Sequence, residues 1–174
     1  MFTHKNINIM KQLIILLTIF IVMSCDKETN EPDSFVLSAN VDIIYLNKTG
    51  DDLLNHTTDE YFQIDSMKLF YIIEGEVIEV YDPNMASPRN IMLMTETTPN
   101  RLRIFTPDNI NEFTSEKDGI KYGTAITLLK LTDIDTDTIK TGWSYKEGKY
   151  FVIDKVWYND VLQESVDSVI TVVK

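Results

Sequence analysis

The sequence predicts an all-β fold, a single antiparallel two-sheet β-sandwich preceded by a signal-peptide helix. Two observations carry this. Apolar residues alternate with polar ones at a period of two in run after run, the spacing that a strand with one buried face requires. Glycine, proline, asparagine and aspartate separate these runs at hairpin intervals, and no amphipathic helix is legible after residue 24.

The first element is the leader. Lys5 and Lys11 form a positive region, and Leu13 to Met23 is an apolar run that closes on Val22-Met23-Ser24-Cys25. A membrane-spanning helix needs about 20 apolar residues, and Lys11 interrupts this run too early. The pattern instead resembles a cleaved bacterial lipoprotein signal. Residues 1–24 are then the signal peptide, and Cys25 is the lipidated N-terminus. Met23 departs from the usual small residue at its position. Two acyl chains suffice to hold a protein stably on a membrane. Residues 25–34 form an acidic tether: Asp26 to Ser34 contains no apolar aliphatic or aromatic residue.

The β-domain is expected over residues 35–174. Phe35, Leu37, Ala39, Val41 and Ile43 share one face of a first strand. Met67 to Ile73 is a strongly apolar strand, predicted to be central. Glu74-Gly75 turns it into Glu76 to Tyr81. Asp82-Pro83-Asn84 and Ser87-Pro88 mark a loop, and Ile91 to Thr95 resumes as a strand. Pro99-Asn100 leads into Arg101 to Thr106. The polar stretch from Pro107 to Gly119 is read as a loop with one helical turn, capped by Thr106 or Asp108. Thr124 to Leu131 is a strand. Ile139, Thr141, Trp143 and Tyr145 share a face of the next. Glu147-Gly148 turns into Lys149 to Tyr158, and Asn159-Asp160 into a last strand ending near Val173. An Ig-like or transthyretin-like sandwich fits this series, with a closed barrel as the alternative.

Charge narrows the function. Lys5 and Lys11 leave with the signal, so 14 basic residues face 27 acidic ones and the mature chain carries −13. That surface repels phosphate backbones, which argues against nucleic acid as a partner. It also argues that the body stands off an anionic bilayer. Cys25 is the only cysteine, so no intrachain disulfide forms. His56 is the only histidine after the leader, so Cys–His catalysis and a multi-histidine metal site have no residues to draw on.

Several constellations remain. Asp133, Asp135 and Asp137 alternate as in the start of a calcium loop. Thr138 stands where that loop needs glycine and Ser144 where it needs glutamate, so the competing reading is an acidic turn. Asp51-Asp52-Leu53-Leu54-Asn55 offers oxygen ligands; its other reading has Leu53 and Leu54 plugging the sandwich. Trp143 and Trp157, with Tyr145 and Tyr158, are candidates for stacking on sugar rings or for the core. Carboxylates are plentiful, but no motif pairs two in a cleft, and a Ser–His–Asp set would have to use His56 from a polar loop. No catalytic residue, metal or cofactor is therefore assigned. Ser66, Thr138 and Ser168 each follow aspartate and precede an apolar residue. That pattern resembles Bacteroidetes O-glycosylation sites.

Taken together, the chain resembles the small surface lipoproteins of Bacteroidetes. The carrying residues are Val22 to Cys25, the acidic Asp26-Lys27-Glu28, Asp51 to Asn55 and Val156-Trp157-Tyr158-Asn159-Asp160. The resemblance implies an outer-membrane lipoprotein, exposed at the surface, and brings no activity to any residue. The expectation is a lipid-anchored, non-enzymatic binding module for a protein or envelope component. A glycan-binding module serving nutrient uptake and a purely structural envelope protein are the alternatives.

Overall fold

The computed structural model describes residues 34–164 and 169–174. The signal peptide, Cys25, most of the tether and Ser168 lie outside them.

The described chain is all-β, built as two sheets consistent with a β-sandwich. Its strands are β1 (Val36–Ser38), β2 (Asn40–Leu46), β3 (Lys68–Ile73), β4 (Glu76–Glu79), β5 (Ile91–Met94), β6 (Arg101–Phe105), β7 (Ser115–Lys117), β8 (Ile120–Lys130), β9 (Thr136–Lys146), β10 (Tyr150–Tyr158), β11 (Val161–Gln163) and β12 (Val169–Val173). The larger sheet runs β1-β10-β9-β8-β3-β4, with β11 beside β10 and β7 beside β8. The smaller runs β12-β2-β6-β5. A single 3₁₀ turn, Ile64–Ser66, precedes β3.

Among the described strands every pairing is antiparallel but two. β1 lies parallel to β10, and β12 parallel to β2. Both join segments remote in sequence, where no tight turn dictates direction. The first expected strand is in fact two. The chain leaves the larger sheet after Ser38 and enters the smaller at Asn40, so Val41, Ile43 and Tyr45 are buried while Phe35, Val36 and Leu37 stay exposed. The expected last strand is likewise two, β11 in one sheet and β12 in the other.

Turn chemistry fixes the hairpins. Glu74 and Gly75 both have positive φ, as do Asn159 and Asp160, the backbone that a two-residue turn between twisted strands requires. Asp118-Gly119 makes a third such turn, from β7 into β8. It replaces the helical turn expected between Pro107 and Gly119. Thr106 caps no helix: its backbone N–H and hydroxyl both donate to the Ala39 carbonyl, at 2.9 and 3.1 Å.

The main core fills the space between the sheets. Tyr45, Val41, Ile43, Leu102, Ile104 and Ile170 enter from the smaller sheet. Leu69, Leu129, Ile139, Val156 and Tyr158 enter from the larger. Leu53 and Leu54 close it, as plugs of the sandwich. A second cluster packs Ala125, Trp143 and Phe151. Trp143 is 1% exposed and stacks on Phe151 with ring centroids 5.6 Å apart. Its indole lies across Gly123, directly opposite on β8, where a Cβ would fall inside the ring's van der Waals surface. Both cores and every described strand pairing lie within residues 34–174.

β10 carries a bulge between Ile153 and Lys155. The extra residue, Asp154, reverses the alternation that follows it. Phe151 and Ile153 face inward before the bulge; Val156 and Tyr158 do so after it. Trp157 therefore faces outward, not with Phe151 as an unbroken period of two would place it.

Gly123→Ala should destabilise the domain by about 1–3 kcal/mol through overpacking against Trp143. Urea unfolding measures it; a change within error of zero would mean the indole is free to move.

Candidate functional site

The sequence-derived candidates do not converge on one site. Trp143 is core, so its ring has no face free for a sugar. Trp157 is half-buried on the outer face of the larger sheet, with the Lys140 ammonium 5.2 Å from its ring centroid. Asp133 is exposed and bonded to Lys130 at 2.8 Å; that hydrogen bond and charge hold its pKa below the ordinary carboxylate value. Ser66 is exposed and donates to the Gln63 carbonyl, and Thr138 is half-buried on β9.

Asp135 and Asp137 meet at a polar knot between the sheets. Lys174, following β12, donates to Asp137 Oδ1 at 2.8 Å and to Asp135 Oδ1 at 3.0 Å. The Tyr45 hydroxyl on β2 donates to Asp137 Oδ2 at 3.1 Å, and Asn159 Nδ2 in the β10–β11 turn donates to Oδ1 at 3.0 Å. Asn159 in turn accepts from the Thr138 N–H at 2.8 Å and donates its own N–H to the Thr138 carbonyl. Asp137 is 1% exposed. Burial alone would raise its pKa. The donors from Lys174 and Asn159 and the Lys174 charge outweigh it, and the net shift is downward. Burial first, and then neighbouring charge and hydrogen bonding, push the phenols of Tyr45 and Tyr158 up. These carboxylates are spoken for by protein donors. Among the described residues no group of three or more His, Cys, Asp or Glu is placed to hold a metal.

The concave surface lies elsewhere, along the connector from β2 to β3. Leu53, Leu54 and Phe62 anchor this segment in the interior. The Phe62 N–H donates to the Leu53 carbonyl at 2.8 Å, and its ring meets Tyr45 edge-on at 5.5 Å. Asp52 caps the Leu54 and Asn100 N–H groups at 2.9 and 2.8 Å, so it is a backbone clamp rather than a free acid. Arg89 holds the Asp65 carbonyl at 2.7 Å. Tyr61, next to inward Phe62, is 40% exposed.

Three clefts adjoin this connector. One of about 390 Å³ lies between Tyr61, Gln63, Lys68 and Lys130. A second, of about 560 Å³, shares Tyr61, Phe62 and Gln63 with the first and adds His56, Asp65 and Asn100. A third, of about 450 Å³, shares Ile64, Asp65 and Leu93 with the second and reaches Tyr81 and Arg89. Through these shared residues they form a furrow along the connector, whose lining mixes Leu54, Phe62, Ile64 and Leu93 with tyrosines, amides and charged side chains. His56 is exposed and makes no hydrogen bond among the described residues, so it is not set up as a triad base. The adjacent Tyr61-Phe62 in an otherwise polar loop was the sequence signal for this site; periodicity passes over it.

No family model, no curated protein and no solved structure matches this chain.

Asp137 predicts a pH dependence. Its folded pKa lies below the unfolded value of about 3.9. The stability it contributes is therefore complete above that value and fades as pH falls through the lower folded one. Asp137→Asn should flatten the acid limb of stability against pH. An unchanged acid limb would assign it to other carboxylates.

Proposed function

We propose that this protein is a lipid-anchored, non-enzymatic binding module of the cell envelope, held at Cys25 and taking an extended ligand in the furrow beside residues 60–65. The observation that carries the reading is the furrow itself. Three clefts share one connector, which Leu53, Leu54, Asp52, Phe62 and Arg89 hold at several points. A linear ligand fits this arrangement better than a compact one. Leu54, Phe62, Ile64 and Leu93 in the lining favour burial of its flat or aliphatic parts, and Gln63, Asn100, Asp65 and Arg89 are there for orientation.

The anchoring half rests on the lysines, apolar run and cysteine of residues 1–25. Their order fits an outer-membrane lipoprotein of the Bacteroidetes type, and the tether would let the domain face outward. An Ig-like or transthyretin-like relationship is the finer fold reading that goes with it. A protein partner is the leading ligand class. A glycan serving nutrient uptake is the second, favoured by Tyr61 and Tyr81 at separate points along the furrow; Trp143 has dropped out of it. The alternative of a purely structural protein leaves the furrow without a use.

Two measurements test the proposal. The mature protein should carry fatty acid at Cys25, seen by fatty-acid labelling and mass spectrometry and lost in Cys25→Ala; an unacylated Cys25 would refute the anchor. Residues 26–174, titrated with envelope glycan fragments and envelope protein fractions, should show amide shifts concentrated at residues 54–66 and 93–100. Tyr61→Ala should weaken that binding about tenfold or more, as loss of an interface tyrosine commonly does. Shifts clustered away from the furrow would overturn the site.

A further inference from the structure

The outer face of a sandwich sheet is ordinarily polar. Here the larger sheet departs from that rule. Cross-strand register aligns Val77, Ile72, Ile126, Lys140, Trp157 and Leu162 in one row, from β4 across β3, β8, β9 and β10 to β11. At about 4.8 Å per strand the row spans roughly 24 Å. Phe70 and Leu128, a cross-strand pair, lie beside it. None of these residues belongs to either core cluster. The two ends are the most open: Val77 is 58% and Leu162 53% exposed. An aliphatic and aromatic band of this extent marks a surface that meets something.

Charge says what it meets. The chain is strongly acidic, yet this face carries lysines. Lys68 and Lys130 are paired with Glu79 and Asp133. Lys140, Lys146 and Lys155 face outward from β9 and β10 and make no ion pair among the described residues. Asp154 precedes Lys155 at the bulge, and Glu147 follows Lys146 in the turn after β9. Trp157 and Lys140 are cross-strand partners, an aromatic body beside a cationic tip. Such side chains seat well where apolar chains meet charged headgroups.

We infer that this face docks on a lipid bilayer bearing anionic headgroups, as a second contact beside the lipid anchor. Aliphatic side chains would enter the headgroup boundary and the three lysines would meet phosphates. Net charge alone argues that the body stands clear of a bilayer, but five lysines stand on this face, three of them without an ion pair among the described residues. The inference uses the anchored reading for its setting, but its test does not depend on Cys25.

The experiment floats residues 26–174, which lack the leader and the cysteine, with vesicles of phosphatidylethanolamine and phosphatidylglycerol, and separately with phosphatidylcholine vesicles. Binding to the anionic vesicles is expected, with quenching of Trp157 by brominated lipid. Lys146→Gln/Lys155→Gln should weaken it on the order of tenfold to thirtyfold at low salt. Val77→Ser/Leu162→Ser, at exposed strand edges, should weaken it without unfolding the domain, checked by near-UV circular dichroism. Equal binding to both vesicle types, no binding, or no effect of either variant would overturn the proposal. So would a concentration-dependent dimer that protects Trp157 from an aqueous quencher. A positive result with a still membrane-bound Cys25→Ala chain would point to this face; loss of the Cys25 anchor alone leaves the vesicle result standing.

Discussion

A carboxylate buried between two sheets must be answered by charge and hydrogen bonds, and the geometry around Asp137 follows from that need. Its oxygens take donors from β2, from the segment after β12 and from the β10–β11 turn. One side chain on the larger sheet is thereby tied to two strands of the smaller. Leaving a buried charge unpaired commonly costs about 3–5 kcal/mol, more than most single apolar contacts contribute. The parallel placement of β12 beside β2 brings Lys174 within reach, and its backbone N–H donates to the Leu46 carbonyl at 2.9 Å. Sheet order and polar knot thus support each other.

The knot reaches the furrow through one aromatic contact. Tyr45 donates its hydroxyl to Asp137 and presents its ring to Phe62. Phe62 forms part of the wall of two adjoining clefts, and Tyr61 beside it faces solvent. A charged cluster in the interior therefore sets the position of the connector that lines the clefts. The connector itself contributes little regular structure, yet Leu53, Leu54, Asp52 and Arg89 hold it at several points. A loop so held can present side chains with little ordering cost on binding.

Much of the fold was legible because strands and tight turns are local. The period of two in β8 and β9, the inward Leu102 and Ile104, and the Glu74-Gly75 and Asn159-Asp160 turns can all be read residue by residue. The failures share a cause. Sheet switching at Ala39, the parallel seams and the Asp154 bulge depend on partners far away in sequence, and nothing in the run Phe35 to Ile43 announces a change of sheet. The bulge then misplaced Trp157, since one inserted residue exchanges the two faces. Asp118-Gly119 is different: the hairpin signal was present, and the polar neighbours obscured it. Of the candidate site, Asp137 was visible only as an aspartate in an acidic run. Its role needed Lys174, 37 residues away. The furrow gave no periodic signal at all.

The sheets, the connector and the furrow all depend on a single buried ion pair and its donors. A double-mutant cycle on Asp137→Asn and Lys174→Met, read by urea unfolding, tests that most directly. A coupling energy of about 1.5 kcal/mol or more is expected, with faster amide exchange at Phe62 in each single variant. A coupling within about 0.5 kcal/mol of zero is the additivity expected of independent sites. That result, with Phe62 exchange unchanged, would contradict this dependence.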